Sequence, residues 1–311
     1  MTTTLIYTHR DCLAHEPGPG HPESPARLDA VLAALRAHEF AEAAWRDAPL
    51  ASRQQLLLVH AAHYVDEVEA LAPRDGHAVL DAGDTVMSPG TWPAVLRCVG
   101  AACAAVDAVV AHEAANAFCA TRPCGHHAEA DRAMGFCVFN QAAIAARHAQ
   151  RAHGLQRVAV IDFDVHHGNG TQNAFYADPD LFYGSCHQSP FYPGTGARQE
   201  HGVAGNIVNI PLPRGTGSDE FREHMQDELL PALRGFAPQL LIISAGFDAH
   251  HKDPLGGLRF TDDDFHWITH ELMAVADASA EGRVVSVLEG GYSLEGLASG
   301  SAAHVRALMR R

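Results

Sequence analysis

The feature that most constrains this chain is a set of short apolar runs that do not alternate with polar residues. The stretch LLIIS at 240–244 is the clearest case. A strand with one wet face alternates apolar and polar side chains. A strand covered on both faces has no reason to. Runs at Thr4–Thr8, Ala117–Thr121, Val158–Phe163, Leu181–Ser185, Ile207–Pro211, Leu240–Ser244 and Val284–Leu288 therefore read as strands of a covered, parallel sheet. Helical signals lie between them. Ser24-Pro25 opens a helix to about His38, with proline at its first position. Thr91-Trp92-Pro93 opens a long Ala/Val-rich helix to about Ala114, and a third runs from Asn140 to about Gln150. Ser218 starts another to about Arg234, and Thr261 with Asp264 reads as a capping box. Strands that alternate with helices predict an α/β fold, a three-layer α/β/α sandwich around a mainly parallel central sheet. No linker, repeat or low-complexity tract interrupts the 311 residues, so one domain spanning 1–311 is expected.

Composition narrows the function. The net charge is −15, and no basic patch offers itself to phosphates, so no nucleic-acid partner is expected. An acidic surface suits cationic substrates and is equally a solubility device. The seven cysteines are odd in number and contain no CxxC pair, which reads as a reduced, cytoplasmic protein. There is no basic-then-apolar leader and no run of 18 apolar residues, so neither export nor a membrane partner is expected. A homo-oligomer is compatible with the sequence.

The 22 histidines are the outlying number. Many, such as His112 and His153 near helix ends, read as plain surface residues, and the pair His250-His251 as mostly bland. The informative ones follow strands, because ligands of parallel sheets bind beyond the strands' carboxyl ends. Asp162, Asp164 and His166 alternate at spacing two after one strand, so an extended backbone projects them to one side. Asp248 follows another strand. Buried carboxylates need a partner, and a divalent cation is a good one. One imidazole and two carboxylates from Asp164, His166 and Asp248 leave an open coordination position, as a hydrolytic metal site requires. His126-His127 stand in a Gly-bounded turn after a third strand. There they can act as base and electrostatic partner. The Glu289-Gly290-Gly291-Tyr292 turn presents a phenol able to donate to an oxyanion.

These residues carry a resemblance. RPCGHHA at 122–128, GFCVFN at 135–140, DFDVHHGNGTQ at 162–172, PGTG at 193–196, SAGFDAHHKDPLGG at 244–257 and LEGGYSL at 288–294 resemble the histone deacetylase superfamily. That superfamily includes bacterial histone-deacetylase-like amidohydrolases and acetylpolyamine amidohydrolases. HPESPAR at 21–27 and LEGGY resemble its class II side. The resemblance implies a zinc-dependent deacetylase with an arginase/deacetylase-like fold. Its zinc would sit on Asp164, His166 and Asp248, with iron(II) as the alternative ion in the cell. It implies His127 as general base, His126 as its electrostatic partner or acid, Asp162 as the carboxylate orienting His126, and Tyr292 as the oxyanion-stabilising phenol. It also implies a structural potassium ion on main-chain oxygens of Asp162, Asp164, His166 and Cys186 with the Ser185 hydroxyl. Phe136 and Tyr192 would wall an acyl-lysine tunnel that Gly135 and Leu255 also line. Asp84 would be a rim carboxylate gripping the substrate backbone.

Two departures stand out. Cys124 replaces a proline that many members have, and Asn169 stands where class I members place an aspartate behind the base histidine. Arg27 reads either as lining an acetate exit path or as a structural salt bridge. The expected substrates are acetyl-lysine in peptides or related small acyl-amines, with acetylpolyamines as the alternative. Some polyamine-specific relatives carry a glutamate where this chain has Leu255. A catalytically silent acyl-binding module would lack Tyr292 or a metal ligand. An arginase-like enzyme with two manganese ions needs more bridging aspartates than this rim offers.

Overall fold

The computed structural model describes residues 3–81 and 83–311. Among the described residues there are ten strands: β1 (Thr4–Thr8), β2 (Ala44–Asp47), β3 (Ala78–Val79), β4 (Val86–Met87), β5 (Asn116–Cys119), β6 (Val158–Asp162), β7 (Leu181–Gln188), β8 (Ile207–Leu212), β9 (Leu240–Ala245) and β10 (Val284–Leu288). Eight of them form one sheet in the order β2-β1-β5-β10-β9-β6-β7-β8. Every pair in that sheet is parallel. The remaining two, β3 and β4, make a small antiparallel hairpin. The helices are α1 (Pro25–Leu35), α2 (Arg53–Leu56), α3 (Ala62–Leu71), α4 (Thr91–Val110), α5 (Gln141–His153), α6 (Asn169–Phe175), α7 (Ser218–His224), α8 (Leu230–Phe236), α9 (Asp262–Ser279) and α10 (Leu294–Leu308).

The non-alternating runs have the expected cause. Side chains of β1, β5, β6, β9 and β10 point alternately into two apolar layers. Ile6, Phe118, Ile161 and Ile243 pack with α1, α9 and α10 on one face. Leu5, Ala117, Val160 and Ile242 pack with α4 and α5 on the other. Truncating such a residue, as in Ile242→Ala, costs about 2–5 kcal/mol. By length and composition α4 could cross a membrane, but 67% of its apolar window is buried inside the fold, and it serves as a core helix.

The helix signals hold in place and differ in extent. Thr261 stands at the N-cap of α9: its main-chain carbonyl accepts the Asp264 amide at 3.0 Å, while Asp264 Oδ2 accepts the Thr261 amide at 2.9 Å and the Thr261 hydroxyl at 3.0 Å. The segment after Ser218 is not one regular helix, because a π turn at Met225–Leu229 separates α7 from α8. The helix from Thr91 stops at Val110, short of Ala114. The helix from Asn140 continues to His153, where Gly154 closes it in the left-handed conformation at φ 69°.

Four neighbouring strands, β5, β10, β9 and β6, occupy the middle of the sheet. Because they are parallel, their carboxyl ends lie on one rim. The loops leaving them carry the four chemistry-bearing motifs to adjacent positions.

Candidate active site

Asp164, His166 and Asp248 come together at this rim. One ligand atom from each lies within 4.8 Å of the others. His166 Nδ1 is 3.1 Å from Asp164 Oδ1 and 3.1 Å from Asp248 Oδ2. Backbone amides fix the carboxylates. The Val165 amide donates to Asp248 Oδ1 at 2.8 Å, and the Gly290 amide donates to Asp164 Oδ2 at 2.8 Å. Residue 290 must be glycine, since a methyl group there would run into both carboxylates. The ring of Phe191, which the sequence did not single out, stacks on His166 with centroids 5.0 Å apart.

The electrostatics of the trio are those of a cation site. Burial first, and the Asp164 charge second, push the Asp248 carboxyl up to about 7. Burial opposes a charge on His166, but its bonds to the two carboxylates raise it to about 10. Two carboxylates and one imidazole crowded in a dry place fit a divalent ion by donor chemistry.

The histidine pair stands beside this cluster. The rings of His126 and His127 are 4.0 Å apart, and His127 is 5.8 Å from His166. Their partners differ. His126 Nδ1 is 2.9 Å from Asp162 Oδ2, which also accepts the Tyr183 hydroxyl at 3.0 Å. His127 Nδ1 is 2.9 Å from Asn169 Oδ1. The Asn169 Nδ2 donates to Glu129 Oε1 at 2.6 Å, so its oxygen faces His127. That oxygen can only accept, so Nδ1 of His127 carries the proton and Nε2 keeps its lone pair. Burial disfavours charge on both rings. Asp162 and Asp164 overcome it at His126, which is held well above the ordinary histidine range. At His127 the neighbouring His126 and His166 add to burial, and the ring is held well below that range. One fold thus pushes adjacent imidazoles in opposite directions, favouring the charged form of His126 and the neutral form of His127.

Glu289, buried and pushed up to about 7 by burial, accepts the amides of Gly125 at 2.7 Å and His126 at 3.2 Å. It ties the β5 loop to the β10 loop. Arg27 is fully buried and spent on structure. It donates to Gly291 O at 2.6 Å, Glu289 O at 2.6 Å and Glu23 Oε1 at 2.8 Å. This is the salt-bridge reading of Arg27. Cys124 and Cys137 are buried thiols with sulfurs 3.3 Å apart.

Tyr292 is half-buried, its ring 4.9 Å beneath the Arg27 guanidinium and 5.9 Å from Phe136. Burial, with Cys124 adding to it, holds the phenol protonated well above its usual range. The turn that presents it hangs on Asp253, whose Oδ2 accepts the amides of Tyr292 at 2.6 Å and Ser293 at 3.0 Å. The other Asp253 oxygen accepts the amide of Leu255 at 2.9 Å. Leu255 is 37% exposed, at the surface end of this loop. Tyr192 packs edge-on against His127 with centroids 5.2 Å apart. Gly135 sits against the His127 ring at φ 57°, a place and a conformation that a side chain would not share. Asp84 does not reach the metal trio. It lines an outer cavity of about 510 Å³ with Asp81, Met134 and Tyr192, and burial with Asp81 raises it to about 6. In the expected potassium set, Asp162 pairs across the strands with Ser185, whose hydroxyl is 2.8 Å from His187 Nδ1. Asp162, Asp164 and Cys186 are buried, and His166 is nearly so.

Comparison with known proteins points the same way. The histone deacetylase domain family matches residues 21–308. A histone deacetylase-like amidohydrolase of Pseudomonas aeruginosa is 40% identical over 93% of this chain and 82% of its own length. A probable deacetylase of Archaeoglobus fulgidus is 37% identical over 95% of this chain and 83% of its own. The crystal structure of the HDA15 HD domain superposes with a TM-score of 0.93 at 32% identity, covering 100% of this chain and 89% of that one.

Proposed function

From the premise that this chain belongs to the histone deacetylase family and is an amide hydrolase of that family, we propose that it is a zinc-dependent deacetylase of N-acetyl-lysine or closely related acyl-amines, releasing amine and acetate. The observation that carries this reading is His127, its Nδ1 bonded to Asn169 so that Nε2 keeps its lone pair, beside the convergent trio Asp164, His166 and Asp248.

The trio would hold the ion, zinc by its nitrogen and oxygen donors, with iron(II) the alternative in the cell. When bound, that ion supplies Lewis acidity to the acyl oxygen and to the attacking water. The chain's own residues do the rest. His127 Nε2 takes the water's proton as it attacks the acyl carbon. The Nδ1 bond to Asn169 keeps the ring in the tautomer this step needs. His126, whose charged form Asp162 favours, places positive charge where negative charge develops. The Tyr292 phenol, kept protonated, donates to the oxyanion. The departing nitrogen takes a proton from the imidazole pair, and the amine leaves along the slot walled by Phe136 and Tyr192.

A potassium ion on the main-chain oxygens around Asp162 and Ser185 would be structural, and all-oxygen donors suit such a hard cation. We read the whole chain as one catalytic domain. Seven free cysteines support a reducing, cytoplasmic setting. The apolar Leu255 at the lip supports acetyl-lysine over an acetylpolyamine, because it offers no charge to a cationic chain. The test is kcat/KM for an acetyl-lysine peptide against N-acetylputrescine. The reading predicts the peptide as the better substrate. A preference of roughly a thousandfold for the polyamine, about 4 kcal/mol, contradicts it.

A further inference from the structure

A second group of metal-type donors lies far from the catalytic rim. Helices α4 and α5 both run away from that rim and end just before β5 and β6 begin. Their last turns therefore stand at the amino ends of the strands, the opposite edge of the sheet. Asp107 is in the last turn of α4. His148 and His153 lie in the last part of α5. The two helices pack through alanines, among them Ala101, Ala105, Ala142 and Ala146, which lets them approach closely and leaves little slack.

The two imidazoles converge on one atom. His148 Nε2 and His153 Nε2 are each 2.7 Å from Asp107 Oδ1. Their rings meet edge to face, with centroids 5.7 Å apart at 84°. The three donor atoms lie within 4.8 Å of one another. The side chains are 13% exposed at His148, 23% at His153 and 53% at Asp107. The rings are thus held in place while the carboxylate faces water.

We propose that Asp107, His148 and His153 form a second, solvent-open site for a borderline divalent cation such as Zn2+, on the edge of the sheet opposite the catalytic rim. Two imidazole nitrogens and one carboxylate oxygen select zinc, cobalt, nickel or copper over magnesium and calcium, which want oxygen alone. In the metal-free chain each Nε2–H donates to Asp107 Oδ1; an incoming cation replaces those two hydrogen bonds, and each neutral ring then carries its proton on Nδ1 and offers the Nε2 lone pair. Water completes the coordination. Ligand convergence exists before binding, so little ordering cost opposes it. Occupation of this site exchanges readily with the medium, unlike that of the buried trio.

The experiment uses tag-free, full-length protein already carrying one equivalent of metal. Zn2+ is titrated against a chromophoric chelator, and Co2+ is followed by its visible absorption. The wild type binds a second equivalent. The double variant His148→Ala/His153→Ala loses at least about tenfold in that second affinity, and Asp107→Asn weakens it. Deacetylase activity at one equivalent stays the same in all three. If the double variant misfolds, His153→Gln at the helix end gives the same reading. Second-site binding that is unchanged in the double variant, or no second equivalent in the wild type, overturns the proposal.

Discussion

The Asp164–His166–Asp248 cluster and the Asp107–His148–His153 cluster are made of the same two donor types, yet they sit in opposite surroundings. In the first, both carboxylates are fully buried and each is fixed by backbone amides. In the second, the carboxylate is half in water and is fixed by two imidazoles alone. The buried cluster is also surrounded by more charge: Asp162, Glu289 and His126 lie beside it, and each is displaced from its ordinary acidity. The exposed cluster has no such ring of dependents. Burial makes a donor set costly and thereby useful, because a cation, a base and an oxyanion donor all act strongly where water cannot screen them. Donors in solvent bind a cation with little further consequence.

This contrast can be broken by substitution. The largest effect is expected for His127→Ala, which removes the base and should lower kcat by about 10²–10⁴-fold in a steady-state assay. A fall of less than tenfold would show that this imidazole is not the base. Asp253→Ala comes next. It frees the Tyr292 turn from the lip loop, and a misplacement of the phenol by about 1 Å costs on the order of 10²-fold. The loss should appear in kcat more than in KM. An equal change in KM alone would mean that Asp253 shapes only the entrance.

Asn169→Asp sharpens the electrostatic half. An anionic partner favours the imidazolium of His127, so its pKa rises. Activity needs that ring neutral, so the acidic limb of the kcat/KM profile should move to higher pH, by about one unit or more. A shift to lower pH contradicts the assigned partner. The smallest effect is expected at the exposed cluster, where Asp107→Asn should leave kcat/KM within about twofold, as a surface change far from the chemistry does.

Much of this was legible in the sequence, for a definite reason. Strands covered on both faces betray themselves by composition, and polar residues after such strands fall on one rim by topology. Asp162, Asp164, His126, His127, Asp248 and Tyr292 were found in that way, and the structure brings them together. What escaped notice lacked such a signal. The edge strand β2 reads AWRD and is mostly exposed, so no apolar run marks it. The helix α10 carries LEGLASGSAAHVRAL, whose glycines and serines blur the helical period. They also let it lie against Phe247 and Phe265 at Gly300. Tyr183, Glu289 and Asp253 act on groups 21, 163 and 39 residues away, and no local pattern announces such pairings. His153, read as a plain surface residue, shares one oxygen of Asp107 with His148 because two helices distant in sequence end together.

The central claim is that a cation held by Asp164, His166 and Asp248 and the phenol of Tyr292 act on one acyl group. The most direct test is hydrolysis of a fluorogenic acetyl-lysine substrate by wild type and Tyr292→Phe, each with and without a chelator. Tyr292→Phe is expected to lose about 10²–10³-fold in kcat, and chelation to abolish wild-type activity until zinc is restored. Undiminished activity in either control would contradict that claim.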